Sequence, residues 1–279
     1  MKIRKTPLRF NEKTSTIQPS DSETPPGNMV PFGYRQIPEN EKAGWVLNHF
    51  NTVAGKYDFM NTLLSFGIHL LWKRTAVRML SLQPGDQVID VCGGTGDLAL
   101  LAARNIGPTG SVVLYDINRA MMERGRPKVV RSPLGNRISF VQGNAEQIAF
   151  PGRTFHAAMV GFGVRNLTHL EKGFREMHRV LRPGGRLICL EFSIPTAPLF
   201  RRLYDFHSFH VMPLLGWLIG GSRQAYTYLP ESIRTFPSPG RVATLMKDAG
   251  FSEVTFRRLT NGIAVAYLAK KEENMRGMI

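Results

Sequence analysis

Residues 1–40 mix Pro, Ser, Thr and charge and show no apolar period, so they read as a flexible extension. From Glu41 the pattern changes. Trp45, Val46 and Phe50, then residues 59–64 and 70–80, carry apolar side chains at three- and four-residue spacing, which predicts helices. After Pro84-Gly85 come the apolar runs QVIDVC, SVVLYD, RISFVQ, FHAAMVGF and RLICLEF, most of them separated by helical periods over 98–103, 119–130 and 170–181. Apolar strands alternating with helices predict an α/β fold with a doubly wound, mostly parallel sheet. A helical insert over about 199–219 follows, then a helix over 239–249 that Gly250 ends. The final runs, VTFRRL and IAVAYLA, flank Thr260-Asn261-Gly262, and Asn-Gly is a strong hairpin signal. The expectation is therefore seven strands, closed by a terminal antiparallel hairpin.

Composition narrows the class. The chain has 279 residues, enough for one large α/β domain, here taken as 41–279. A formal net charge of +15 favours anionic partners, whether nucleic acid, anionic lipid or an acidic substrate. Cys92 and Cys189 lie in apolar stretches, which points to a reducing compartment rather than a disulfide framework. The longest apolar run, 212–221, contains Pro213 and is too short to span a bilayer. No secretory signal is expected from MKIRKTPLRF, which lacks an apolar core.

VIDVCGGTGDLAL carries the most chemistry. A strand runs into Gly93-Gly94-Thr95-Gly96 and a helix follows. Glycines let backbone approach a ligand closely, and free amides at a helix start suit polar groups. Asp116 lies 20 residues past Gly96, at the end of SVVLYD, where a carboxylate can accept from both hydroxyls of a ribose. A dinucleotide site remains an alternative, since Gly94, Gly96 and Ala99 satisfy G-x-G-x-x-A. Asp90 within the first strand and the terminal hairpin fit that alternative poorly.

Asp90 with GGTG, Asp116, GNAEQIAF and RVLRPGGRL together resemble the class I S-adenosylmethionine (SAM) methyltransferases. VAGKYDFMNTLLSFGIHLLWKR, FGVRNL, LEFS, YDFHSFHVMP and YLPESIRTFP further resemble the ubiquinone/menaquinone C-methyltransferase family, over about residues 44–270. The resemblance implies a Rossmann-like fold, SAM as cofactor and a polyprenylated benzoquinol or demethylmenaquinol as methyl acceptor. It implies that Thr95, Asp116, Asn144 and Ala145 contact the cofactor, above a loop of Gly93, Gly94 and Gly96. Two departures stand out. His156 replaces a frequent Asp, and Gly161 replaces a serine that contacts the cofactor in many members.

Ring-carbon methylation needs an electron-rich ring, so the acceptor is the quinol. Its phenol titrates near ~10 by analogy with tyrosine, so the site must favour the phenolate. The resemblance puts Arg165 and Asn166 where substrates lie. Arg165 is expected to stabilise the phenolate, with a structural ion pair as its other reading, and Asn166 to orient a hydroxyl or water. His207 and His210, three residues apart on the insert, are candidate bases, and Tyr57 a candidate wall of the methyl-transfer site. Residues 41–80 and 193–235 would form the substrate lid. Phe209, Met212, Leu214, Leu215, Trp217, Leu218 and Ile219 offer an apolar surface for the polyprenyl tail, with core packing as the plain alternative.

No metal is expected. A peripheral contact with anionic membrane, at the cytoplasmic side of the inner membrane, follows from the substrate and the charge. A homodimer or a quinone-biosynthesis complex stays open. The rivals are a methyltransferase of another phenolic compound, a nucleic-acid methyltransferase and a non-catalytic scaffold. The nucleic-acid reading is disfavoured because GVRN stands where base-amino enzymes carry Pro-Pro-aromatic.

Overall fold

The computed structural model describes residues 28–273, with the side chains at 223 and 224 excepted. The chain enters through a hairpin of β1 (Met29–Phe32) and β2 (Arg35–Pro38). This corrects the expectation of a featureless stretch to residue 40; residues 1–27 lie outside the described residues. Gly33, at a φ of +62°, opens the two-residue turn, as primed hairpin turns require. The hairpin is held by tertiary contacts rather than by a pattern of its own. Phe32 stacks on Tyr228 at 4.2 Å, Ile37 is buried, and the Tyr34 N–H donates to Glu231 at 3.2 Å.

Helices α1 (Lys42–Val53), α2 (Tyr57–Leu64) and α3 (Ile68–Leu80) follow, close to the expected spans. The alternating part comprises β3 (Gln87–Val91), α4 (Asp97–Ala103), β4 (Ser111–Asp116), α5 (Arg119–Val130), β5 (Ile138–Gln142), β6 (Phe155–Gly161), α6 (Leu170–Val180) and β7 (Leu181–Phe192). Then come α7 (Pro198–Phe206), α8 (Met212–Leu215), α9 (Arg223–Thr235), α10 (Pro239–Asp248), β8 (Glu253–Leu259) and β9 (Ala264–Lys270).

Among the described residues the main sheet has seven strands in the order β5-β4-β3-β6-β7-β9-β8. The pairs β3–β4, β4–β5, β3–β6 and β6–β7 are parallel, while β9 runs antiparallel to both β7 and β8. The Asn261-Gly262 turn makes that last pair, with Asn261 at a φ of +55°. One apolar layer packs β3, β4, β6 and β9 against α3 and α4, around Trp72, Leu80 and Leu114. The other packs the opposite face against α6 and α10, around Phe174, Met177 and Met246. A third, smaller cluster of Val53, Met60, Leu64, Met212 and Tyr226 joins the helices outside the sheet.

The chain winds from β3 outward to β5, then crosses to β6 on the other side of β3. The reversal leaves a crevice beyond the carboxyl end of β3, where ligands bind in such sheets.

The insert is not one regular helix. π-helical turns at His207–Val211 and Gly216–Gly220 interrupt it. Pro213 explains the first break, because it has no N–H for the carbonyl four residues back and its ring crowds that carbonyl.

Candidate active site

At the crevice β3 gives way to the glycine loop. A Cβ at Gly93 would come within 2.8 Å of Leu114 Cγ, and one at Gly96 within 2.9 Å of Leu114 Cδ1. These glycines lie beneath the loop, against β4, and let it pack flat. Gly94 faces the crevice, and its N–H donates to Asp116 Oδ2 at 2.8 Å. Asp116 Oδ1 accepts from the Asn118 N–H at 2.7 Å, and Asn118 caps α5 by accepting from the Met121 N–H. Each carboxylate oxygen keeps a further lone pair for a ligand. Burial raises the Asp116 pKa, against the two backbone donors that lower it.

The crevice is a cleft of ≈ 850 Å³, with Gly94, Asp116, Asn144, Ala145, Gly161 and Asn166 in its wall. The structure therefore brings Gly94, Asp116, Asn144 and Ala145 together in one wall, while the Thr95 hydroxyl bonds elsewhere. The Thr95 side chain turns out of the cleft and donates to Asp58 Oδ1 on α2, at 2.6 Å. Lys128 Nζ lies 2.8 Å from Asp58 and 2.5 Å from Asp97, while Lys73 Nζ lies 2.7 Å from Asp97. Burial would raise the Asp97 carboxyl, but Lys73 and Lys128 overcome it and hold it far below the usual carboxylate range. Thr95 thus bonds α2 to the glycine loop.

The two departures fall in different places. A Cβ at Gly161 would stand 2.7 Å from Leu98 Cδ1, so Leu98 fills the space a serine would take. His156 lies at the far, amino end of the strands, where its Nδ1 faces the Gln87 N–H at 2.9 Å, so it leaves the cleft untouched.

A second cavity, ≈ 400 Å³ and mostly apolar, adjoins the first, and Phe50, Tyr57 and Phe162 line both. Arg165 lines the second cavity. Its Nη1 lies 3.0 Å from Glu191 Oε1 and also donates to the Phe162 carbonyl. Its guanidinium sits 5.4 Å from the Phe192 ring centroid, and its buried Nε has no hydrogen-bond partner among the described residues. Asn166 faces the first cleft and accepts from the Tyr228 hydroxyl at 2.9 Å. Consecutive residues of one turn therefore address the two chambers.

The histidines separate. His207 lies at the cavity's mouth with its ring 5.9 Å from Phe66, and burial lowers its pKa. His210 is exposed and stacks on Phe206. Residues 207–211 form a wider π turn, which sets the two side chains apart. Sequence reasoning missed His49. It lines the inner cavity beside Tyr228, and burial, aided by the Arg165 charge, pushes its pKa down to about 4. Its position in the helical period of α1 looked like ordinary packing.

The proposed tail surface also divides. Met212 is buried, Leu215 and Ile219 pack on the lid cluster, and Phe209 lies under the Arg234 guanidinium. Leu214, Trp217 and Leu218 are exposed.

A profile of the ubiE/COQ5 methyltransferase family matches residues 36–271. The chain belongs to this family. Among ubiE/COQ5 relatives, the ubiquinone/menaquinone biosynthesis C-methyltransferase UbiE of Pseudomonas putida (strain GB-1) is 46% identical over 236 residues, covering 85% of this chain and 92% of that protein. The protein of the same name from Pseudomonas aeruginosa (strain LESB58) is 44% identical with the same coverage. In fold, the ubiE/COQ5 chain is similar to a SAM-dependent methyltransferase from Thermotoga maritima, at a TM-score of 0.57 and 19% identity, covering 81% of this chain and 99% of that one. A SAM-dependent methyltransferase from Aquifex aeolicus gives 0.52 at 17% identity, with 71% and 88% covered.

Proposed function

We propose that this chain transfers a methyl group from SAM to a ring carbon of a polyprenylated quinol, either demethylmenaquinol or the benzoquinol of ubiquinone synthesis. The observation that carries the reading is the pair of chambers sharing Phe50, Tyr57 and Phe162, one polar-walled with Asp116, the other apolar with Arg165. The first fits SAM: Asp116 keeps acceptor capacity at the cleft, and Gly94 leaves backbone bare there. Gly94, Asp116, Asn144 and Ala145 would hold it. When bound, SAM supplies an electrophilic methyl on a sulfonium centre.

The chain's own residues prepare the acceptor. The Arg165 guanidinium favours the phenolate, which activates the neighbouring ring carbon. Glu191 fixes the guanidinium, and Tyr228 fixes Asn166. Helices α1, α2 and α9 exclude water, which favours a reaction that neutralises charge. Aligning the partners supplies roughly 7–11 kcal/mol of the barrier. The ring carbon sheds its proton to a histidine facing the cavity, His207 at the mouth or His49 inside, both depressed in pKa and so neutral near pH 7. Turnover of His207→Phe and His49→Phe across pH separates the two; full activity in both would remove histidine from the scheme.

The protein would work peripherally at the cytoplasmic face of the inner membrane. Among the described residues no helix is long and apolar enough to cross one. The deciding experiment incubates the protein with methyl-labelled SAM and reduced demethylmenaquinol, with the oxidised quinone as control. Label on the ring under reducing conditions alone is expected. Label with neither demethylmenaquinol nor the benzoquinol analogue would overturn the reading.

A further inference from the structure

The apolar cavity opens between the α2–α3 turn and α7, where Phe66, Leu203 and His207 line it. Phe66 is unusual twice over. It is 80% exposed, and it holds a φ of +51°, a region a bulky residue rarely adopts. The strain serves no core contact, since the ring faces solvent beside His207.

The elements on either side continue the pattern. On α7, Leu199, Leu203 and Phe206 follow the i, i+4, i+7 spacing that aligns side chains on one helix face, and all three are exposed. Exposed Arg202 flanks that stripe. On α3, exposed Leu71, Arg74 and Arg78 align in the same way, with the leucine on the turn next to Phe66 and the arginines farther along. Trp217 and Leu218 add exposed apolar surface on the insert. Exposed apolar side chains with arginines on the same helices suit a lipid interface, where long cationic side chains reach headgroups while their neighbours enter the acyl boundary.

We propose that this face docks on an anionic lipid bilayer. The cavity mouth then opens into the acyl region, so that a substrate's isoprenoid chain stays in lipid while its ring enters between Phe66 and Leu203. This rests on the lipid quinol proposed above. The formal net charge of +15 gives the long-range attraction, and the arginines beside the stripe give it direction.

The test is flotation of the full chain with vesicles of phosphatidylcholine alone or mixed with phosphatidylglycerol. Leu71→Ser/Leu199→Ser/Phe206→Ser changes positions outside the cavity wall. Wild type is expected to bind the anionic vesicles, and the triple variant to bind at least about tenfold more weakly. Arg74→Glu/Arg202→Glu is expected to lose the preference for anionic lipid. Methylation of a short-tailed, water-soluble quinol should be unchanged in the triple variant, while methylation of a long-tailed quinol in vesicles falls. Equal vesicle binding by wild type and triple variant overturns the proposal. So does a wild-type protein that ignores vesicles but self-associates through these side chains, since a second copy would then cover the face. Failure to methylate any quinol would sink the functional reading and leave the vesicle result to decide docking alone.

Discussion

Arg165 and Glu191 form a buried ion pair, Nη1 to Oε1 at 3.0 Å, with 6% and 0% of their side chains exposed. Glu191 also accepts from the Arg165 and Phe192 backbone N–H groups, at 3.2 and 2.8 Å. The structural ion pair, the other reading of Arg165 drawn from sequence, is thus present, and among the described residues the buried Nε has no hydrogen-bond partner. Removing one partner of a buried pair leaves the other uncompensated. Glu191→Ala is expected to cost about 3–5 kcal/mol, read by denaturant unfolding. Arg165→Leu is expected to lower kcat roughly 10²–10³-fold with SAM affinity intact. Unchanged turnover in Arg165→Leu would leave the pair a purely structural role.

Asp116 orders the cleft by accepting from Gly94 and Asn118 and still faces the cavity. Asp116→Ala removes charged hydrogen bonds worth about 1.5–3 kcal/mol each, so SAM should bind roughly 10–100-fold more weakly by calorimetry. Wild-type affinity in that variant would show that another group carries the ribose.

Gly93 has no room for a methyl group. A Cβ there would meet Leu114 Cγ at 2.8 Å and the Asp90 carbonyl at 3.0 Å, and the carbonyl cannot swing aside. Gly93→Ala is expected to destabilise by about 1–3 kcal/mol and to weaken cofactor binding as the loop lifts. A melting temperature and SAM affinity equal to wild type would contradict the close packing.

Asp90 is fully buried, with one oxygen accepting from the Ala99 N–H at 3.0 Å and the other without a partner among the described residues. Burial pushes its carboxyl from 3.8 up to about 8, against the Ala99 donor. The folded state therefore holds a proton that the unfolded state releases. The stability attached to this group is full below the unfolded value and is lost as pH rises through the folded one. Asp90→Asn is neutral throughout and should flatten that decline over roughly pH 4 to 8. Unfolding curves with the same pH slope in both proteins would refute the assignment.

The fold was legible because its signals are local. Apolar runs of strand length, the glycine loop and Asn261-Gly262 each act over a few residues, and the mostly parallel seven-stranded sheet and its terminal hairpin follow from them. What stayed hidden depends on partners distant in sequence. The β1–β2 hairpin rests on Tyr228 and Glu231, the Thr95 hydroxyl is claimed by Asp58, and Arg165 meets a glutamate from the next strand. His49 and His207 look alike in the sequence, and only the placement of α1 and the π turn sets one inside the cavity and the other at its mouth.

The bond between Thr95 and Asp58 joins two events that chemistry would otherwise leave separate. Lifting α2 to widen the way in for a ring breaks that bond and the Asp58–Lys128 ion pair together. The glycine loop then loses its outer tether. One hydroxyl thereby makes the seating of α2 and the anchoring of the glycine loop a single event.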